Sequence, residues 1–316
     1  MRIPAKLRTA VHTFGLLCCA LCFCIRTLHA QGTFTHLGPS APATASALSY
    51  NFDAEGSYFG RGTANAGNTF VGDITEFAGS ADFVLSVSVS ESALLRFGIE
   101  WQGYSWDPPA TAPIPPSVQG LDLAIGADWQ VSPAVLLRIE AHPGVYSQFE
   151  DTTWDDVNVP FEIAATYFVS SSMIVIAGIH VDLGADMPVW PVIGVHWKVS
   201  DKWVIEGIPP RPQLQYLLSD KVTLFAGADL RETSFRVNPQ FGDSRGMPQL
   251  NNAIMDYFEF RMGGGITWKV SNNIDLDLEG GCTPYRRFDY TRVADGYKVK
   301  SEDFAPYIRV AFSASF

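Results

Sequence analysis

Cysteine is almost missing beyond the first thirty residues. Cys18, Cys19, Cys22 and Cys24 precede residue 31, and Cys282 stands alone after it. A single thiol makes neither an internal disulfide nor a cysteine-based metal site, which excludes a stapled secreted miniprotein. Basic charge is scarce too. The chain has 22 lysines and arginines against 33 aspartates and glutamates. Setting aside Arg2, Lys6, Arg8 and Arg26 in the opening segment leaves 18 against 33, a net charge of −15. That balance argues against nucleic acid as a partner. Past the opening segment there is no apolar run of the roughly 18 residues that a membrane-spanning helix needs. A membrane protein without such helices must cross as a closed barrel. Gly-rich phosphate loops, HExxH pairs and Gly-x-Ser-x-Gly elbows are also absent.

The opening segment has a function of its own. Arg2, Lys6 and Arg8 form a basic start, Phe14 to Ile25 is apolar, and Leu28-His29-Ala30 precedes Gln31. This is the pattern of a cleaved secretory signal peptide over residues 1–30. Residues 31–46 are rich in Ser, Thr, Ala, Pro and Gly without periodicity, and read as a flexible periplasmic leader. Residues 47–316 are then left for one domain.

That domain is punctuated by six copies of one motif, an apolar residue, Ser, two turn formers and an apolar residue. The serines are Ser90, Ser132, Ser170, Ser200, Ser219 and Ser271. Ser with Asp, Asn or Pro between alternating apolar runs is the chemistry of a tight hairpin turn. Three residues before five of them stands a ring: Trp129, Tyr167, Trp197, Tyr216 and Trp268. Hairpin turns at one level with rings one step above describe one interface of a transmembrane barrel and its aromatic girdle. The separations between serines run from 19 to 52 residues, too uneven for propeller blades.

Between the turns the chain alternates. Leu95, Phe97, Ile99 and Trp101 oppose Arg96, Glu100 and Gln102; Leu121, Leu123 and Ile125 oppose Asp122 and Asp128. Period two over a whole chain means strands with one apolar and one polar face. One strand before the first hairpin, two per hairpin and one at the end predict an all-β, antiparallel, up-and-down transmembrane barrel of 14 strands. The segment around Pro209-Pro210-Arg211-Pro212 leaves short strands, so it is either a notch in the rim or outside the wall, giving 12. The last run, Phe304 to Phe316, alternates and ends on Phe, which resembles the signal that the barrel assembly machinery reads.

These motifs, together with the stretch from Pro212 to Gly227, resemble an uncharacterised family of bacterial outer-membrane β-barrels, a domain of unknown function. The resemblance implies a fold and a compartment, the bacterial outer membrane. It carries no functional residues.

Parity turns Arg96, Glu100, Asp122, Asp128, Arg138, Glu140, Arg261, Asp275, Asp277 and Glu279 towards the lumen. Acids outnumber bases there, which predicts a passive or weakly cation-preferring pore for small solutes. A structural or plugged barrel is the alternative. An outer-membrane lipase or protease is the lesser one, since no histidine has a serine beside it in a known motif. No cofactor is expected. His142 with Glu140, or His180 with Asp182, has metal-pair chemistry, but solvated lumen residues are the plainer reading and no metal is assigned. The expected partners are outer-membrane lipid and the assembly machinery. Solvated lumen charges should be cheap to neutralise, Arg138→Gln among them.

Overall fold

The computed structural model describes residues 48–291, 293 and 296–316; the expected signal peptide and leader lie outside the described residues. The strand segments are β1 (Leu48–Ala66), β2 (Thr69–Ser90), β3 (Ala93–Trp106), β4 (Ser117–Ser132), β5 (Val135–Ala141), β6 (Gly144–Ser147), β7 (Val157–Asn158), β8 (Phe161–Ser170) and β9 (Met173–Val181). They continue with β10 (Val189–Lys198), β11 (Trp203–Glu206), β12 (Gln213–Ser219), β13 (Val222–Arg236), β14 (Ile254–Lys269), β15 (Ile274–Tyr290), β16 (Tyr297–Ser301) and β17 (Ala305–Ser315). All belong to one sheet. β5 and β6, β7 and β8, and β16 and β17 are each one interrupted strand, so the wall is a closed antiparallel barrel of 14 strands.

Closure is made by β1 and β17, paired from Asn51↔Ser315 to Phe59↔Tyr307. Tyr50 and Phe316 exchange backbone hydrogen bonds of 2.8 and 2.9 Å, and their rings stack at 5.1 Å. Pairing of β1 with β17 satisfies the two terminal edges, as a closed barrel in a bilayer must, because a bilayer core offers no water to an unpaired N–H or C=O.

The repeated serines explain the turns. Each side-chain oxygen accepts a hydrogen bond from the backbone N–H two residues on: Ser92 to Ser90, Ala134 to Ser132, Ser172 to Ser170, Lys202 to Ser200, Lys221 to Ser219 and Asn273 to Ser271, at 3.2–3.3 Å. A hydroxyl that mimics a backbone acceptor fixes the turn, and the turn fixes the register of both strands. The register matters because a slip by one residue would exchange the faces. As built, Phe97, Ile99, Leu123, Ile125, Ile139 and Ile163 are exposed outside, while Arg96, Glu100, Asp122, Arg138, Glu140 and Glu162 are buried inside.

Two expectations are settled by geometry. The stretch from Gly60 to Asn68 reads as a loop of small residues, yet strand pairing continues through it to Ala66↔Thr69, and the turn is tight at Gly67, whose φ is +59°. The Pro209–Pro212 segment is in the wall. β11 pairs with β10, β12 pairs with β13, and the N–H of Ala228 and of Leu230 donates to the carbonyl of Pro212 and of Pro210. β11 has only four residues, so this hairpin stops early and the rim is notched between β10 and β13. The count of 12 is thereby excluded.

Candidate functional site

The bore is not an open tube. Its outer half is filled by a hydrophobic core that includes Phe59, Tyr104, Trp106, Ile114, Phe235, Phe241, Met255, Tyr257, Phe288 and Tyr290. Trp106 lies 5.0 Å from Tyr257 and 5.1 Å from Phe288 between ring centres. Two outer connections fold in over this core. The segment 107–116 is anchored by Tyr290, whose hydroxyl donates to the Pro113 carbonyl at 2.8 Å. The segment 237–253 reaches it through Arg245, which donates to the Ala112 carbonyl at 2.8 Å. Fourteen strands enclose more space than wall side chains alone readily fill, and here that space is taken up. Inward-pointing aromatics and two inserted connections occupy the outer half.

Below the core lies a cavity of about 290 Å³. Its lining includes Glu55, Asp82, Glu100, Asp122, His142, His180, Arg211, Arg231 and Arg309. Its two sides differ. On the side of β13, β14, β15, β17 and β1, joined by Glu76 from β2, five arginines meet five carboxylates. Arg261 contacts Glu259 at 2.7 Å and Asp229 at 3.7 Å; Arg286 contacts Glu76 at 2.9 Å and Glu259 at 3.3 Å. Arg231 joins Glu55 at 2.7 Å and Asp229 at 3.0 Å, and Arg309 joins Glu55 at 2.7 Å. Arg211, from the notch, reaches Glu279 at 2.5 Å. The Arg261 and Arg286 guanidiniums also cover the Phe59 ring, at 4.6 and 5.4 Å.

The other side, β2 to β9, is acid-rich. Strand register sets Asp53 opposite Asp82, Asp82 opposite Glu100, and Glu100 opposite Asp122. It likewise sets Glu140 opposite Glu162, and Glu162 opposite His180. Like charges directly opposed across strands are destabilising. Two arginines relieve part of this. Arg138 forms a bidentate pair with Asp128 at 2.6 and 2.7 Å, and Arg96 meets Glu140 at 2.5 Å. His142 stands within 3.3 Å of Glu100 and 3.5 Å of Asp122.

All ten lumen candidates lie on the inner face, and the structure divides them between these two sides. Arg96, Glu100, Asp122, Asp128, Arg138 and Glu140 belong to the acid-rich side and are buried. Arg261 and Glu279 are buried in the arginine network. Asp277 is 3.7 Å from Arg309, while Asp275 sits opposite Lys269 near the sixth turn. Solvated they are not, except for half-buried Asp275 and Asp277. Of the girdle rings, Trp129, Tyr167, Trp197 and Trp268 are exposed on the outer face, and Tyr216 is half-buried against Trp203 at 4.9 Å. His142 approaches Glu100 and Asp122 more closely than Glu140, whose nearest oxygen is 3.9 Å from Nε2.

Glu55, Glu76, Asp229, Arg211, Arg231 and Arg286 escape the list of site residues drawn from the sequence. A signal existed for five of them: Glu55 shares the phase of Asp53 on β1 and Glu76 that of Asp82 on β2, while Asp229, Arg231 and Arg286 share the inward phase of Phe235 and Phe288 on their strands.

Three solved barrels are similar in structure. An outer membrane channel from Pseudomonas putida F1 is 11% identical, with 88% of this chain and 99% of that one covered and a TM-score of 0.45. The toluene transporter TodX of P. putida is 7% identical, with 87% and 92% covered and a TM-score of 0.42. The translocator domain of the autotransporter NalP from Neisseria meningitidis is 11% identical, with 86% and 89% covered and a TM-score of 0.36. No curated protein sequence matches the chain. The profile of the family described as "Domain of unknown function (DUF6268)" matches residues 134–314, more than half of the chain. With a closed 14-strand barrel and a profile match over most of its wall, the chain belongs to the DUF6268 family.

Proposed function

We propose that this barrel is an outer-membrane channel for small solutes, drawn here in a closed state and mildly selective for cations. The observation that carries the reading is the acid-rich cavity inside a membrane-spanning wall, beneath a core contributed partly by two long connections. A purely structural barrel has no need to hold Asp82, Glu100 and Asp122 in one row. Fixed negative charge in a narrow, low-dielectric passage raises the local cation concentration. Passage outward requires 107–116 and 237–253 to withdraw, as segments on loops can. The reading includes export through a cleaved signal peptide, the Phe316 end as the assembly signal, and contact with outer-membrane lipid.

The aromatic core favours a second reading, a permanently plugged barrel. Planar bilayers separate the two. Wild type should give rare or no current steps. A variant with residues 240–251 replaced by a short Gly-Ser link should give frequent, cation-preferring steps. The preference should fade as the Debye length falls from about 10 Å at 0.1 M salt to about 3 Å at 1 M. A folded loop variant that stays silent supports the plugged barrel instead.

A further inference from the structure

We infer that Glu100, Asp122 and His142 form a binding site for one divalent first-row transition-metal ion on the acid-rich side of the cavity. Each residue offers a ligand atom, and these atoms all lie within 4.8 Å of one another. The spacing is that of a coordination shell. Metal–ligand bonds of about 2.0–2.2 Å place neighbouring ligands of a tetrahedral ion roughly 3.3–3.6 Å apart. His142 Nδ1 is 3.3 Å from Glu100 Oε2 and 3.5 Å from Asp122 Oδ1.

The second observation is independent of that spacing. Asp122 is 6% exposed, yet its Oδ1, which points at this cluster, makes no hydrogen bond; nor does Nε2 of His142, which is 5% exposed. A buried carboxylate oxygen left without a donor costs free energy unless a ligand satisfies it. The row Asp82–Glu100–Asp122 adds to that cost, and a dication would offset the repulsion.

The surroundings supply the remaining features. Glu140 stands 3.9 Å beyond the far nitrogen of His142 and is itself held by Arg96 at 2.5 Å. At that distance Glu140 makes no hydrogen bond to Nε2, and a small approach would turn it into the carboxylate that usually backs a metal-bound histidine. The Tyr146 hydroxyl donates to the His142 carbonyl at 3.1 Å and steadies the backbone there. The adjoining cavity leaves room for water as the remaining ligand and for entry. One imidazole with two carboxylates suits Mn²⁺, Fe²⁺, Co²⁺ or Zn²⁺; Ca²⁺ wants six to eight oxygens and is disfavoured.

This inference does not depend on conduction, since an ion is bound whether or not solutes pass. The full chain, refolded in detergent, stripped with chelator and checked by its heat-dependent gel mobility, is titrated with Co²⁺ and with Zn²⁺. Wild type should develop the visible absorption of Co²⁺ bound through nitrogen and oxygen, retain about one equivalent of Zn²⁺ after gel filtration, and melt at higher temperature with metal. His142→Gln should abolish the spectrum, and Asp122→Asn should weaken binding at least about tenfold. Asp275→Asn, far from the cluster, should bind as wild type does, and Ca²⁺ should not compete. Folded wild type that retains no Co²⁺ or Zn²⁺ overturns the inference, as does unchanged binding by folded His142→Gln and Asp122→Asn.

Discussion

The two sides of the lumen solve the same problem differently. Both bury carboxylates inside the barrel wall. On the β13–β17 side Glu55, Asp229, Glu259 and Glu279 each meet an arginine, Asp256 accepts from the Ser234 hydroxyl and the Asp186 N–H, and Arg261 and Arg286 cover the Phe59 ring. On the β2–β9 side the acids face one another across strands, and the partners of Asp122 are His142 and the Tyr146 hydroxyl. A network of opposite charges is rigid and self-contained, because removing any member leaves a buried partner exposed to low dielectric. A row of like charges is incomplete, because it gains from anything positive that enters. The first side therefore reads as scaffold and the second as site. The aromatic core above them belongs with the scaffold: Glu76 accepts from Trp106 at 2.9 Å and from Tyr257 at 2.7 Å, tying ring core to ion network.

The largest test of that contrast is Arg261→Met. Arg261 is fully buried with Glu259, Asp229 and Glu55 around it. Removing one partner of a buried ion pair typically costs about 3–5 kcal/mol. Urea titration of the folded barrel in lipid should show a loss of that order. A loss below about 1 kcal/mol, the scale of an exposed pair, would dissolve the scaffold reading. The same physics revises Arg138→Gln. Solvation made it a cheap change on paper, but Arg138 is buried and bidentate with Asp128, so it belongs with the costly ones.

Next comes the outer face. Ile125→Arg puts a charge on the lipid side of β4 and should cost about 2–4 kcal/mol near mid-membrane. Its side chain is exposed, so in a water-soluble barrel the same change would be nearly free. Urea titration in lipid reads that cost, and a loss near zero would show that this face does not meet lipid.

A smaller effect is expected at Tyr257→Phe. The hydroxyl is removed, the ring stays, and Glu76 loses one of three partners. The loss should be about 1–3 kcal/mol, the range for a buried acceptor deprived of its donor. In bilayers the variant should also open more often, if the ring core is the gate. Destabilisation with no change in current would confine Tyr257 to the scaffold.

How much of this was legible in the sequence follows from where register is set. Six serine turns fix six hairpins, so the pairing of Asp128 with Arg138 can be counted outward from Ser132. Inward and outward phase is equally legible from Arg96, Glu100 and their apolar neighbours. Glu100 and Asp122, by contrast, lie on strands joined over the outer connection 107–116, which no tight turn pins, so their meeting could not be counted. His142 is different: it follows the Ser132 turn, and the register Ile125↔Ala141 continues unbroken to Asp122↔Gly144, so its approach to Asp122 could be counted outward from that turn. The core was half legible. Tyr104 and Trp106 share the inward phase of Arg96 and Glu100, a sign that the polar face turns aromatic near the outer end. What no phase reveals is the fold of 237–253 onto those rings.

The smallest effect is the one that discriminates most sharply, because its sign differs between the two sides. Glu162 sits directly opposite Glu140 on one neighbour and His180 on the other, and its Oε2 makes no hydrogen bond. Neutralising it as Glu162→Gln removes a like-charge opposition worth roughly 0.2–1 kcal/mol and keeps the volume nearly constant. The amide can still donate to Glu140. The variant should therefore be as stable as wild type or slightly more so when metal has been removed. Glu259→Gln, the matching change on the arginine-rich side, takes a carboxylate from both Arg261 and Arg286 and should destabilise. Paired urea titrations of the two variants in one lipid, with chelator present, read the signs directly. If both lose stability to the same extent, the acid-rich side is as fully compensated as its counterpart, and the division of the lumen into scaffold and site fails.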